Sequence, residues 1–158
     1  MYNIGDYVVY KREVCEITDI KVKYIKDKDY YCMRSIRDKT LGVNVPTDSN
    51  LIRNILSKDE ALNIINEIDN IDYNYSEDKF DNECKELMKT DKIEDLIKVI
   101  KMSHKRCEDR INQGKKISDR DSDFIKKCED IFYIEMSLAL SLSYDEVVEF
   151  IKGKVLYI

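Results

Sequence analysis

The sequence predicts an α+β protein, with a small antiparallel β-barrel followed by an all-α bundle of about five helices. Three observations support this. Apolar and polar residues alternate in the first third of the chain, apolar residues later recur at spacings of three and four, and no proline follows Pro46. The change of period falls near residues 52–57, which predicts two domains, residues 1–55 and 56–158.

The N-terminal part shows the pattern of strands that bury one face. β-branched and aromatic residues dominate four runs, at residues 7–10, 14–25, 30–33 and 41–45. A polar turn is expected at residues 27–29, between the second and third runs. About four or five antiparallel strands, closed into a barrel or curled, fit this length.

The C-terminal part begins with a helix-start signal that is repeated near its end. Ser57 with Glu60, and Ser143 with Glu146, have the spacing of capping boxes. Three more helix starts are predicted between them, at Ser76, at Thr90 or Asp91, and at Ser118. Long amphipathic helices are expected over residues 92–112 and 119–141, where apolar residues recur every three or four positions.

Composition narrows the classes of function. With 32 acidic and 27 basic side chains, the formal net charge of −5 disfavours a protein that coats nucleic acid without specificity. No apolar run is long enough to span a bilayer and the N-terminus does not resemble a secretory signal, so we expect a cytoplasmic protein. The helices sustain no heptad seam, which predicts a monomer, although an exposed β edge could also pair with a second copy.

Residues that carry chemistry are sparse. The five cysteines stand singly without a CxxC pair, and the one histidine, His104, has only Cys107 near it, so neither a disulfide framework nor a metal site is expected. Nucleotide-binding and hydrolase motifs are absent from the sequence, and acidic residues mostly alternate with lysine. The sequence therefore predicts a protein that is not an enzyme and needs no cofactor.

Several segments, in order, resemble the CarD/CdnL family of bacterial transcription regulators. The β part contains IGDYVVY, DYYCM and LGVNVP, and LIRNILSKDEA follows directly. The segments ECKELMKTDKIEDLIKVIK and ISDRDSDFIKKCEDIFYIEMSLAL are similar to later helices of the family. Each motif is short, and the resemblance lies in their order over nearly the whole chain.

The resemblance implies a Tudor-like β module that binds the β-subunit lobe of RNA polymerase, which would place the protein at the nucleoid. It also implies a helical domain that contacts promoter DNA at the upstream edge of the melted bubble and stabilises the open complex. The alternative is an adaptor whose β module binds another protein without DNA contact. The residues matched to the polymerase-binding surface, or alternating beside it, are Tyr31, Met33, Asn44, Val45 and Pro46.

The predicted DNA contacts lie in one helix. No acidic residue occurs between Asp95 and Glu108, and this window holds four basic residues, Lys98, Lys101, Lys105 and Arg106. They would contact phosphates, or would only make the helix soluble. His104 aligns with a tryptophan that many family members insert beside the bubble, so it is expected either to stack on a base or to lie half-buried in the apolar stripe.

Overall fold

Five strands and then five α-helices make up residues 1–154, the part of the chain that the structure, a computed structural model, describes. The mixed α+β class is therefore confirmed. The residues divide into two compact units, Met1–Leu56 and a second that begins at Ser57.

The first unit is one antiparallel sheet. Its strands are β1 (Tyr7–Tyr10), β2 (Glu13–Ile25), β3 (Lys28–Ser35), β4 (Gly42–Pro46) and β5 (Ile52–Asn54). They lie in the order β4-β3-β2-β1-β5. Because β4 and β5 stand at opposite edges without pairing, this sheet is not closed, and the barrel and its Tudor-like character are not confirmed.

The sheet buries one face, as the two-residue alternation predicts. Its core contains six buried side chains: Val8, Cys15, Ile17, Tyr31, Met33 and Val45. Strand β2 is long and irregular, with register shifts against β3 between Ile17 and Asp19 and between Lys21 and Ile25. Beyond the first shift, β2 runs out into an exposed hairpin arm.

The turn between β2 and β3 lies one residue earlier than predicted. Ile25 pairs with Lys28, so the loop consists of Lys26 and Asp27 alone. Both residues have positive φ, 51° and 57°. A two-residue hairpin needs this left-handed backbone, because its twist then matches the twist of the strands. Neither residue is glycine or asparagine, which explains why the sequence signal for this turn is weak.

The second unit consists of α1 (Lys58–Glu67), α2 (Phe80–Lys89), α3 (Ile93–Asn112), α4 (Asp119–Leu140) and α5 (Tyr144–Lys152). Short 3-10 turns at Ile68–Asn70 and Glu77–Lys79 precede α2. Helix α4 packs against α1, α3 and α5, and α3 also packs against α2. None of the helices in residues 1–154 is both long and apolar enough to cross a membrane.

The two predicted capping boxes are confirmed. Ser57 and Ser143 each accept a hydrogen bond from the backbone N–H of the glutamate three residues later, which binds back to the serine N–H. Ser118 caps α4 in the predicted place. The start of α3 differs, because Lys92 holds the N-cap position and the Thr90 hydroxyl instead donates to Asp95.

Candidate functional site

Strand β4 is an edge strand whose outer side has no partner strand among residues 1–154. The backbone N–H of Ser35 donates to Leu41, and that of Thr47 donates to Asp29. Since hydrogen-bonded pairs alternate in an antiparallel ladder, Val43 and Val45 bind β3, whereas Gly42 and Asn44 direct their backbone groups outward. The edge therefore offers N–H and C=O groups to an added strand.

Proline occupies the next outward position of this edge. Pro46 has no N–H to present, which suits an edge strand, and its carbonyl accepts a hydrogen bond from Ser49 at 3.0 Å. The free backbone groups of the edge are thus concentrated at Gly42 and Asn44.

A shallow depression of about 230 Å³ lies beside these groups, on the face of the sheet opposite the core. Thr18, Cys32, Arg34 and Asn44 are among its lining residues. Cys32 is paired with Asn44 across β3 and β4, so both side chains point to this face. An edge that can accept a strand, next to a hollow that can accept a side chain, is the arrangement used in β-strand addition.

The predicted polymerase-binding set is corrected by burial. Tyr31 is only 1% exposed, and Met33 and Val45 are also buried in the sheet core. Tyr31 and Val45 are cross-strand partners on the core face, and the Tyr31 hydroxyl accepts a hydrogen bond from the backbone N–H of Tyr2 at 3.0 Å. These three residues support the sheet and present no surface.

Two members of that set stay accessible, since Asn44 is exposed and Pro46 is partly exposed. Cys32 and Arg34 were missed by the sequence reasoning, although they alternate with Tyr31 and Met33 on β3 and line the depression. The alternation itself was the signal that could have found them.

In the helical unit, Lys101 is not a surface residue. It is 6% exposed, and its Nζ donates to the carbonyl oxygens of Ile68 at 2.5 Å and Ile71 at 3.0 Å. Burial lowers the pKa of this ammonium group, and the nearby Asp69 and Asp72 partly oppose that effect. Lys101 therefore binds the turn after α1 to α3, and its buried ammonium group gives no support to the predicted DNA contact.

Arg106 is also engaged inside the unit. Its guanidinium carbon lies 4.4 Å from the centre of the Phe80 ring, and its side chain is 14% exposed. Three carboxylates lie within 4 Å of its nitrogens: Asp81 at 3.4 Å, Glu77 at 3.7 Å and Asp121 at 3.9 Å. Arg106 is thus a packing residue with little exposed surface, which leaves its predicted phosphate contact without support.

The neighbouring Arg110 completes this cluster. It contacts Asp121 at 2.8 Å and Glu77 at 2.9 Å. Hydrogen bonds from Tyr75 and Arg110 hold the pKa of Glu77 below its ordinary value. Glu77 therefore stays ionised near neutral pH and neutralises part of the positive charge on α3.

Lys98 and Lys105 remain accessible, but each has an acidic neighbour on the same helix. Lys98 Nζ lies 3.4 Å from Asp95, and Lys105 Nζ lies 3.1 Å from Asp109. Burial raises the pKa of Asp95, but hydrogen bonds from Thr90 and Lys98 outweigh it, and the net pKa is lowered. These two lysines can reach a phosphate only in competition with those carboxylates.

His104 is exposed and makes a polar contact with α4. Its Nε2 lies 2.6 Å from Glu129 Oε1, and 44% of its side chain is accessible. The side chain is therefore about half covered, as the helical wheel predicted, but the contact that covers it is polar. Stacking on a base stays a prediction, and it would compete with this contact.

The segment of α3 between Asp95 and Glu108 contains no acidic residue, but acidic side chains from other parts of the unit lie next to it in the folded structure. The neutralising carboxylates come from before α2, from α2 and from α4, as well as from the ends of α3. Within residues 1–154, no group of three or more histidine, cysteine, aspartate or glutamate side chains could hold a metal ion.

Comparison of the chain with protein-family models gives no match, and comparison with curated proteins gives none either. The resemblance to the CarD/CdnL family therefore rests on the sequence motifs themselves, and the function is argued from these motifs and from the surfaces described above.

Proposed function

We propose that the protein is a transcription regulator that binds the β-subunit lobe of bacterial RNA polymerase by adding a strand to the outer edge of β4. The observation that carries this proposal is the pair of outward-facing backbone positions, Gly42 and Asn44, on an edge strand. The segment LGVNVP, which resembles the family, contains the whole of β4. The resemblance and the free edge thus point to the same five residues.

Strand addition would give this contact its register as well as its strength. Each main-chain hydrogen bond across the new ladder would contribute about 0.5–1.5 kcal/mol. Side chains from the added strand would enter the depression beside Cys32 and Asn44, which would select among partner sequences.

Pro46 would limit the addition at one end. It offers no N–H to an incoming strand, and its carbonyl is already bound to Ser49. The proposed contact is therefore centred on Asn44.

A substitution at Asn44 tests this contact. Asn44→Pro removes the outward N–H and no hydrogen bond to β3, so the sheet is expected to persist while binding to a purified β lobe weakens by tenfold or more. Titration calorimetry with the full-length protein measures the affinity. Asn44→Thr is the matched control, because it changes the side chain and keeps the N–H, and it is expected to retain most of the binding.

Two results would count against the proposal. If the wild-type protein forms no complex with the lobe at about 50 μM, the affinity is too low for a specific regulator. The proposal that polymerase is the partner is then wrong. If Asn44→Pro and Asn44→Thr bind equally well while both keep the sheet, the partner does not use the β4 edge.

The helical unit has two candidate roles once the β unit is bound. In the first, Lys98, His104 and Lys105 contact promoter DNA at the upstream edge of the bubble and stabilise the open complex. In the second, the protein is an adaptor without DNA contact. The specific observation that favours the second is that the basic side chains of α3 already have carboxylate or carbonyl partners.

Open-complex lifetimes decide between these roles. With DNA contact, the wild-type protein is expected to lengthen the lifetime, and Lys98→Ala with Lys105→Ala to shorten it again without weakening lobe binding. Each lost phosphate contact should also reduce the log–log salt slope by about 0.9. If the open-complex lifetime is the same with and without the protein on several promoters, the DNA-contact role is wrong and the adaptor role is supported.

A further inference from the structure

A groove of about 560 Å³ lies between α2 and α4. Its floor is apolar and is formed by Phe80, Cys84 and Met88 on one side and Phe124 on the other. Phe80 and Cys84 are buried, whereas Met88 and Phe124 are partly accessible to solvent. The groove has the size of sites that take a few large side chains.

The rim of this groove is basic. Lys85 and Lys89 of α2 and Arg120 and Lys127 of α4 are all exposed at its borders. Lys89 has Glu86 at 3.0 Å, in a pair so exposed that a competing carboxylate can replace it. A chain with a net charge of −5 therefore presents a local excess of positive charge here.

Two acidic residues also line the groove, but both face cations of the interior. Asp121 binds Arg110 at 2.8 Å, and Asp81 lies 3.4 Å from Arg106. Asp121 is largely covered, whereas Asp81 is 76% exposed and offsets part of the positive charge of the rim, whose four cations still outnumber it.

A second groove beside α2 makes a useful contrast. It has a similar volume, about 580 Å³, but its border mixes the acids Asp72, Glu83 and Glu86 with Lys79 and Lys98. That border favours neither sign of charge in a partner. The combination of an apolar floor with a basic rim belongs to the α2–α4 groove.

We propose that the α2–α4 groove binds an acidic amphipathic helix of a partner protein. Apolar side chains on one face of that helix, three and four residues apart, would fill the floor around Met88 and Phe124. Its flanking carboxylates would meet Lys85, Arg120 and Lys127, on both sides of the floor. Duplex DNA fits less well, because phosphates would meet the cations but would leave the apolar floor uncovered.

The test uses the full-length protein and a synthetic probe. The probe is a fluorescein-labelled peptide of about 16 residues, with phenylalanine and leucine three and four positions apart, glutamate at the positions that flank them and alanine elsewhere to favour the helix. Fluorescence anisotropy is expected to show saturable binding with Kd below about 100 μM. A reference peptide with serine at the apolar positions is expected to bind at least tenfold more weakly.

Charge reversal on the rim locates the site. Arg120→Glu with Lys127→Glu is expected to weaken binding of the probe at least tenfold. The matched control is Lys115→Glu with Lys116→Glu, which makes the same change in net charge at two exposed residues outside the groove. Far-UV circular dichroism checks that both variants keep their helices.

Three results would overturn the proposal. Equal loss of binding in the rim variant and its control would show only long-range attraction. Equal binding of the serine peptide would show that the floor is not used. Binding of a labelled DNA duplex that depends on Arg120 and Lys127, together with no saturation by the peptide, would make this groove a nucleic-acid surface.

Discussion

Lys101→Met is expected to lower the free energy of unfolding of the helical unit by about 2 kcal/mol, because the Ile71 carbonyl loses its donor and the Ile68 carbonyl, which keeps the Ile71 N–H at 3.2 Å, loses its charged donor. Methionine keeps the apolar stem of the side chain but cannot bind the Ile68 and Ile71 oxygens, which Nζ now holds at 2.5 and 3.0 Å. The 3-10 turn after α1 would then lose its attachment to α3. Urea unfolding followed by circular dichroism at 222 nm measures the change.

The same substitution at a neighbouring lysine is the control. Lys98→Met removes a partly exposed ammonium group that pairs with the largely buried Asp95, and it is expected to cost about 1 kcal/mol, less than Lys101→Met. If Lys101→Met unfolds at the same urea concentration as Lys98→Met, the buried contact stabilises the unit no more than the partly exposed pair does. A loss of DNA contact on substituting Lys101 can be interpreted only when stability has been measured alongside it.

The helical wheel of α3 predicts which residues of this helix are buried, but not which residues of other elements contact it. It separates an apolar stripe from a basic margin, and this division is correct for Ile97 and Ile100, which are fully buried. The wheel cannot show which side chains from other elements lie next to the basic residues. The carboxylates around Arg106 and Arg110 belong to residues 77, 81 and 121, and only the tertiary packing brings them to α3.

For Lys101 a signal was present in the sequence. It follows Ile97 by four positions, which places it close to the centre of the buried stripe. A lysine there must reach solvent or find acceptors in the interior, and it finds the carbonyls at the end of another helix. Which helix supplies them could not be predicted, since it depends on how α1 meets α3.

In the sheet, too, the features that depend on neighbouring residues could be predicted, and those that depend on tertiary packing could not. Local chemistry identified β1 to β4 and both capping boxes, because these depend on residues within a few positions of each other, but not the three-residue strand β5. Alternation on β3 also separated Tyr31 and Met33 from Cys32 and Arg34. It could not decide which face is buried, because aromatic and sulfur-containing residues occur on both.

Tyr31→Ala is the substitution expected to damage the β unit most, by about 3–5 kcal/mol, the cost of truncating a large buried aromatic side chain. The ring lies in the core with Val45, and its hydroxyl accepts the Tyr2 N–H. A sheet of this size has little stability to spare, so it is expected to open. Amide hydrogen exchange of β2 and β3, measured by NMR, reports that opening without interference from the helices.

Tyr24→Ala is the matched control, because it removes the same ring from the exposed hairpin arm, where Tyr24 is 46% accessible. The ring contacts Tyr30 and Lys21 there, outside the sheet core, so sheet protection is expected to change little. Tyr31→Ala should then lose binding to the polymerase lobe together with sheet protection, whereas Asn44→Pro should lose binding alone. A Tyr31→Ala protein that keeps its exchange protection but no longer binds would show a direct contact and contradict the core role.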